Sequence, residues 1–179
     1  DHEVGAGGGV LDLITHKIGG DRASAAAWLR DNIEGGTAPA NDSGKVTAVY
    51  RYVDRAGELV HEVVRLEPKS FRQRRPDGAG GYHWNMKGVP PLLYNLPRVI
   101  EAAERGELVI VVEGEKDADR LNSMGLVATC NAGGAGKWKP EHSAQLAGAR
   151  VAIIPDNDEA GRDHAEHVAL ATRDAASEV

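Results

Sequence analysis

The sequence predicts an α/β protein, a mainly parallel sheet flanked by helices and preceded by a small, basic α+β subdomain. Two observations carry this. From residue 108 onward, short β-branched runs alternate with helical stretches, the pattern of a parallel α/β unit. Between residues 45 and 66, two runs of strand character flank the turn Asp54-Arg55-Ala56-Gly57, as in a β-hairpin. The chain divides accordingly into a glycine-rich tether, helical segment and linker (1–44), a small basic β-rich subdomain (45–107) and an α/β domain (108–179).

Residues 5–9 are nearly all glycine and read as a tether; no strand precedes them, so they fail as a dinucleotide-binding loop. A helix pair follows at 10–18 and 23–33, with Asp21 as N-cap of the second, and 35–44 reads as a linker. The hairpin strands fall at 46–53 and 59–66. A basic loop then carries Lys69, Arg72, Arg74 and Arg75 through Gly78, Gly80 and Gly81 to Trp84. A helix over 96–105 stops at Gly106. The α/β unit is expected as strand 108–112, helix 116–124, strand 126–130, loop 131–139, helix 140–147, strand 150–155 and helix 160–175, with right-handed crossovers.

With 179 residues and an apolar fraction of 41%, the chain can bury a proper core, filled by aliphatic side chains because aromatics are few. The net charge of −6 conceals a segregation. From Lys45 to Arg98 ten Lys or Arg face five Asp or Glu, so the remaining residues carry −11. One cysteine, Cys130, excludes an internal disulfide and a cysteine zinc knuckle, and within Leu126-Val127-Ala128-Thr129-Cys130 it reads as a small buried strand residue. No apolar run reaches the length of a membrane span and no signal-peptide pattern opens the chain, which points to the cytoplasm and to no membrane partner. A start at Asp1 rather than Met fits a piece of a longer chain, or a disordered start left out.

Two acidic clusters stand where buried strands end. Glu113-Gly114-Glu115-Lys116-Asp117 follows Leu108-Val109-Ile110-Val111-Val112, and Asp156-Asn157-Asp158-Glu159 follows Val151-Ala152-Ile153-Ile154-Pro155. Open parallel sheets bind ligands beyond the carboxyl ends of their strands. Carboxylates converging there suit Mg²⁺, which takes one or two of them and keeps waters and substrate phosphates for the rest. The alternative for any single acid is a helix N-cap or first-turn residue drawn by the helix dipole.

The stretch Val111-Val112-Glu113-Gly114-Glu115-Lys116-Asp117-Ala118-Asp119-Arg120-Leu121, followed by Ile153-Ile154-Pro155-Asp156-Asn157-Asp158-Glu159-Ala160-Gly161, closely resembles the Toprim domain shared by topoisomerases and bacterial-type primases. Its phrasing is similar to that of phage, prophage and plasmid primases or primase-helicases, and the Tyr-Arg-Tyr, Lys-Ser-Phe-Arg-Gln-Arg-Arg and Leu-Leu-Tyr-Asn-Leu-Pro segments resemble the basic region before Toprim in those proteins. The resemblance implies a DNA primase, a nucleotidyltransferase making short RNA primers on a single-stranded DNA template from ribonucleoside triphosphates, with Mg²⁺ or Mn²⁺. A replicative helicase or helicase domain is a further implied partner. It assigns catalysis to Glu113, Asp156, Asp158 and the auxiliary Asp117, and metal binding to Glu113, Asp156, Asp158 and, unless it is only a helix-start acid, Glu159. A Toprim nuclease and a non-catalytic single-strand-binding module are the alternatives. Such primases usually carry a Cys-rich zinc module upstream; with Cys130 alone, this chain holds no zinc module, and residues 10–33 resemble the stretch that follows one.

The basic segment would supply counter-charge. Arg65, Lys69, Arg72, Arg74 and Arg75, with Lys116 and Lys137, are the candidates for nucleotide or template phosphates, and Phe71 and Trp84 for base stacking. The alternative is a solvated positive face with both aromatics packed inside the subdomain. Asn131-Ala132-Gly133-Gly134-Ala135-Gly136-Lys137-Trp138 fails as a Walker loop, lacking Gly at Asn131 and Ser or Thr at Trp138. It is either a phosphate-contacting turn or a tight turn only. His164 and His167 lie at i and i+3 with no third ligand evident, and no metal is assigned to them.

Overall fold

The computed structural model describes residues 44–179. The helices expected at 10–18 and 23–33, and nearly all of the linker, lie outside the described residues.

The first sheet is antiparallel, in the order β1 (Lys45–Val53), β2 (Leu59–Glu67), β3 (Ser70–Pro76) and β4 (Tyr82–His83). Asp54 builds the hairpin turn, its Oδ1 accepting from the amides of Ala56 and Glu58, while Gly57 takes φ +86°. The basic segment expected as a loop is, from Ser70, a third strand in register with β2, Arg65 facing Phe71 and Glu62 facing Arg74. Neither face of Ser70–Pro76 is apolar, so alternation gives no sign of it; cross-strand charge and cation–π pairs stabilise it instead.

Helix α1 (Leu96–Glu104) then leads into the second sheet. It ends at Gly106, which takes φ +67°, while the Glu107 amide returns to the Ala102 carbonyl. There follow β5 (Leu108–Val111), α2 (Glu115–Ser123), β6 (Val127–Thr129), α3 (Pro140–Ala144), β7 (Arg150–Ile153) and α4 (Glu159–Thr172). The three strands are parallel in the order β6-β5-β7. The expected alternation of strand and helix is present, with elements trimmed at their ends. Helix α3 stops at Ala144, where the Gln145 and Leu146 amides turn to carbonyls three residues back and Gly148 adopts φ +75°.

Val109, Val111 and Ala128 from the parallel sheet, Val99 from α1, Val168 from α4 and Tyr52 and Val63 from the antiparallel sheet share one core. Tyr50, Tyr52 and Tyr94 form its aromatic layer between the two sheets, with Tyr52 and Tyr94 ring centroids 5.3 Å apart. Cys130 is buried there, as expected of a small strand-end residue, and burial pushes its thiol well above the ordinary cysteine range. Among the described residues no helix is long and apolar enough to cross a membrane.

Candidate functional site

Strands β5 and β7 are parallel neighbours, with Val111 paired to Ile153, so the segments leaving them emerge side by side at the carboxyl edge of the sheet. Glu113 and Asp156 thereby reach one pocket, of about 530 Å³, joined by Asp117 from the first turn of α2. Asp158 begins α4 as its N-cap, Oδ1 accepting the Gly161 amide at 2.7 Å. Glu159 occupies the first turn of α4, exposed and outside the pocket lining, where the helix dipole favours an acid.

Glu113 is the electrostatic focus. Its carboxyl is held above the ordinary range, first by burial and then by the negative charges of Asp156, Asp158 and Asp117. Its Oε2 is buried without a hydrogen-bond partner. Three acids from two segments thus act on Glu113, although Asp158 spends one oxygen on its helix.

The opposite wall comes from the antiparallel sheet. Tyr50, Val63, Arg65, Lys69, Phe71 and Gln73 line it, facing Glu113, Glu115, Lys116, Asp117 and Asp156. Arg65 lies over the Phe71 ring at 5.7 Å, and Phe71 remains 48% exposed, leaving a face to offer. Gly133 and Gly134 of the glycine-rich turn close one side, with φ of +88° and +71° and the Asn131 side chain donating to the Gly134 carbonyl at 2.9 Å. Lys137 borders this edge, its Cγ 3.4 Å from where a Cβ on Gly133 would stand. The turn is therefore both tight and pocket-lining.

Strand alternation sorts the basic residues. Phe71 and Gln73 point into the pocket, so Arg72 and Arg74 point to the other face of the sheet. There Arg72 stacks on Trp84 at 4.4 Å, while Arg74 stacks on Tyr82 at 3.8 Å and pairs with Glu62 at 2.7 Å. Arg75 contacts Asn85 at 3.4 Å and is not in the lining. Trp84 accordingly packs within its own sheet. Of the candidate cations, Arg65, Lys69 and Lys116 reach the pocket itself.

Sequence reasoning assigned no role to Gln73, Tyr50 or Glu115. A strand over Ser70–Pro76 would have placed Gln73 beside Phe71, but Tyr50 and Glu115 come together only through the packing of one sheet on the other. His164 is buried, its Nδ1 accepting the Gly136 amide at 3.3 Å, and it holds the glycine-rich turn against α4.

Among the described residues no three His, Cys, Asp or Glu side chains are gathered closely enough to form a metal cage alone. The donor chemistry nevertheless fits a hard divalent cation. Glu113, Asp156 and Asp158 are oxygen donors of one sign, and Glu113 Oε2 is an acceptor lacking a partner. Mg²⁺ commonly rests on one or two carboxylates and completes its shell with waters and phosphates.

No protein-family model matches the sequence, and no curated protein does. Solved structures do match, primase structures among them. The zinc-binding and RNA polymerase domains of the Aquifex aeolicus primase align with a TM-score of 0.57 at 19% identity, over 94% of this chain and 42% of that one. The E. coli primase catalytic core aligns with a TM-score of 0.53 at 19% identity, over 89% of this chain and 51% of that one. The protein has a primase-like fold, and it spans about half the length of these structures or less.

Proposed function

We propose that this chain is the catalytic region of a Toprim-type DNA primase of the phage, prophage or plasmid kind, making short RNA primers on single-stranded DNA. One observation supports the reading above others: on a primase-like fold, an acidic rim faces a wall of cations and apolar rings across a single pocket. A triphosphate needs both, cations for its phosphates and a carboxylate-held metal at the reacting one.

Glu113, Asp156 and Asp158 would hold Mg²⁺ or Mn²⁺, with Asp117 adding negative charge beside them. The bound metal would stabilise charge on the attacking and leaving oxygens. Arg65, Lys69 and Lys116 would neutralise the phosphates, with Lys137 approaching from the glycine-rich turn. Tyr50, Val63 and Phe71 would cover a base or sugar face. Glu113 Oε2, buried and without a partner, would be a ligand oxygen free of competing hydrogen bonds. The partners of this reading are a single-stranded DNA template, ribonucleoside triphosphates and a replicative helicase or helicase domain.

The test is synthesis from labelled ribonucleotides on a defined single strand, with and without a zinc-containing segment supplied upstream. New template-dependent chains are expected. Shortening of an end-labelled strand with no new chains would replace the primase by a nuclease.

A further inference from the structure

Among the residues that line the pocket, Gln73 carries the only side-chain amide. It ends a row that crosses the antiparallel sheet, Tyr50 pairing with Val63 and Val63 with Gln73, while Arg65 paired with Phe71 makes the next row on the same face. Phe71 and Gln73 are two residues apart on β3, so they stand about 7 Å apart along the strand and point the same way. Gln73 also reaches the glycine-rich turn, its Nε2 lying 3.8 Å from where a Cβ on Gly133 would stand.

The fold itself makes no use of that amide. Gln73 is half-buried, and among the described residues its side chain has no hydrogen-bond partner. The charged neighbours divide two parts of a nucleotide between them, Arg65, Lys69 and Lys116 suiting phosphates and the acidic rim suiting a cation. A neutral amide is a poorer match for either than the charges already there; it matches a neutral group that offers both a donor and an acceptor. The Phe71 ring beside it, 48% exposed, is a stacking surface for a base. A base lying on that ring would bring its edge to the amide.

We infer that Gln73 is a specificity-determining residue that selects adenine in a bound nucleoside triphosphate, its amide nitrogen donating to N7 and its amide oxygen accepting from the N6 amino group. This rests on the nucleotidyl-transfer reading above. On the same edge guanine presents two acceptors, cytosine only a donor and uracil only an acceptor, so none of them satisfies both halves of the amide. That edge stays free when the base is paired to a template strand, so the contact adds to template pairing without competing with it.

The experiment is calorimetric titration of ATP, GTP, CTP, UTP and 7-deaza-ATP, each with Mn²⁺, into the unchanged chain, Gln73→Met and Gln73→Lys. The unchanged chain is expected to bind ATP about tenfold more tightly than the other three natural nucleotides. It should also prefer ATP to 7-deaza-ATP, which lacks the N7 acceptor. Gln73→Met, similar in size but without the amide, should lose the tenfold for ATP and bind GTP, CTP and UTP as the unchanged chain does. Gln73→Lys, which offers donors alone, should favour GTP over ATP. Equal affinity of the unchanged chain for ATP and 7-deaza-ATP overturns the inference, whether or not the variants fold. An equal loss for all four nucleotides in Gln73→Met overturns it too, since a contact to sugar or phosphate would give that result. A chain that binds none of the nucleotides overturns the nucleotidyl-transfer reading first, whereas nucleotides bound without preference overturn the role of Gln73 alone.

Discussion

Gly161 lies so close beneath Asp156 that a Cβ built on it would stand 2.6 Å from the Asp156 carbonyl oxygen and 2.9 Å from its amide nitrogen. The loop bearing the site acid is thus seated directly on the first turn of α4, which Asp158 caps through the same glycine's amide. In an ordinary helix, Gly→Ala gains about 1 kcal/mol. Here the sign reverses, because the obstructing atoms are backbone. Gly161→Ala should cost about 1 to 3 kcal/mol in urea unfolding and displace Asp156, lowering primer synthesis as well. A more stable variant with full activity would contradict this seating.

The two aspartates of that loop should separate by substitution. Asp156 has no capping role, so Asp156→Asn should abolish primer synthesis and leave the unfolding midpoint equal or higher, since it relieves repulsion on Glu113. Asp158→Ala loses activity and also its cap, at about 1 kcal/mol, whereas Asp158→Asn keeps an acceptor for the Gly161 amide and loses activity alone. Circular dichroism melts paired with the primer assay measure both. Primer synthesis by Asp156→Asn at the level of the unchanged chain would remove Asp156 from the site.

How far the sequence led can be read from these elements. The parallel strands were legible because continuous β-branched runs have few other uses, and their order in the chain brought Glu113 and Asp156 to one edge. The strand Ser70–Pro76 was not legible, because a strand that buries no apolar face lacks the alternation by which strands are recognised. Missing it merged pocket-facing and outward-facing residues into one basic cluster. The helix-start role of Asp158 was one of two readings open for it, and the structure gives it that role while keeping its charge close enough to act on Glu113. The Tyr52–Glu115 bond joins β1 to the start of α2 across 63 residues, and nothing in local pattern encodes it.

Strand alternation divides the arginines into two experimental classes. Arg65→Ala and Lys69→Ala should raise the KM for nucleotide with little change in folding midpoint, because both face the pocket. Arg74→Ala should act through stability. Its partner Glu62 has a side chain only 6% exposed, and an uncompensated buried charge costs about 3 kcal/mol. Urea unfolding and nucleotide titration of the three variants check the division. An Arg74→Ala variant that is fully stable but has a raised KM would place Arg74 with the pocket.

His61 makes the stability of the fold depend on pH in a definite direction. Burial lowers its folded-state value to about 4 from an ordinary 6.5, and both ring nitrogens are buried without partners. The unfolded chain therefore binds a proton below 6.5 that the folded chain refuses until about 4. Stability is level above 6.5 and falls as the pH drops toward 4, by about 2 kcal/mol from this residue at pH 5. His142, lowered to about 4 chiefly by burial, adds to the same trend. Glu113 and Glu115, whose folded-state values are raised, oppose it, since the folded chain takes up their protons more readily. A difference measurement isolates the histidine. His61→Phe keeps the stack on Tyr52 and removes two unsatisfied nitrogens, so it should be at least as stable as the unchanged chain at pH 7. Between pH 7 and pH 5 it should lose about 2 kcal/mol less. Urea unfolding curves at the two pH values decide, and equal losses in the two proteins would show that His61 takes up its proton without unfolding the sheet around it.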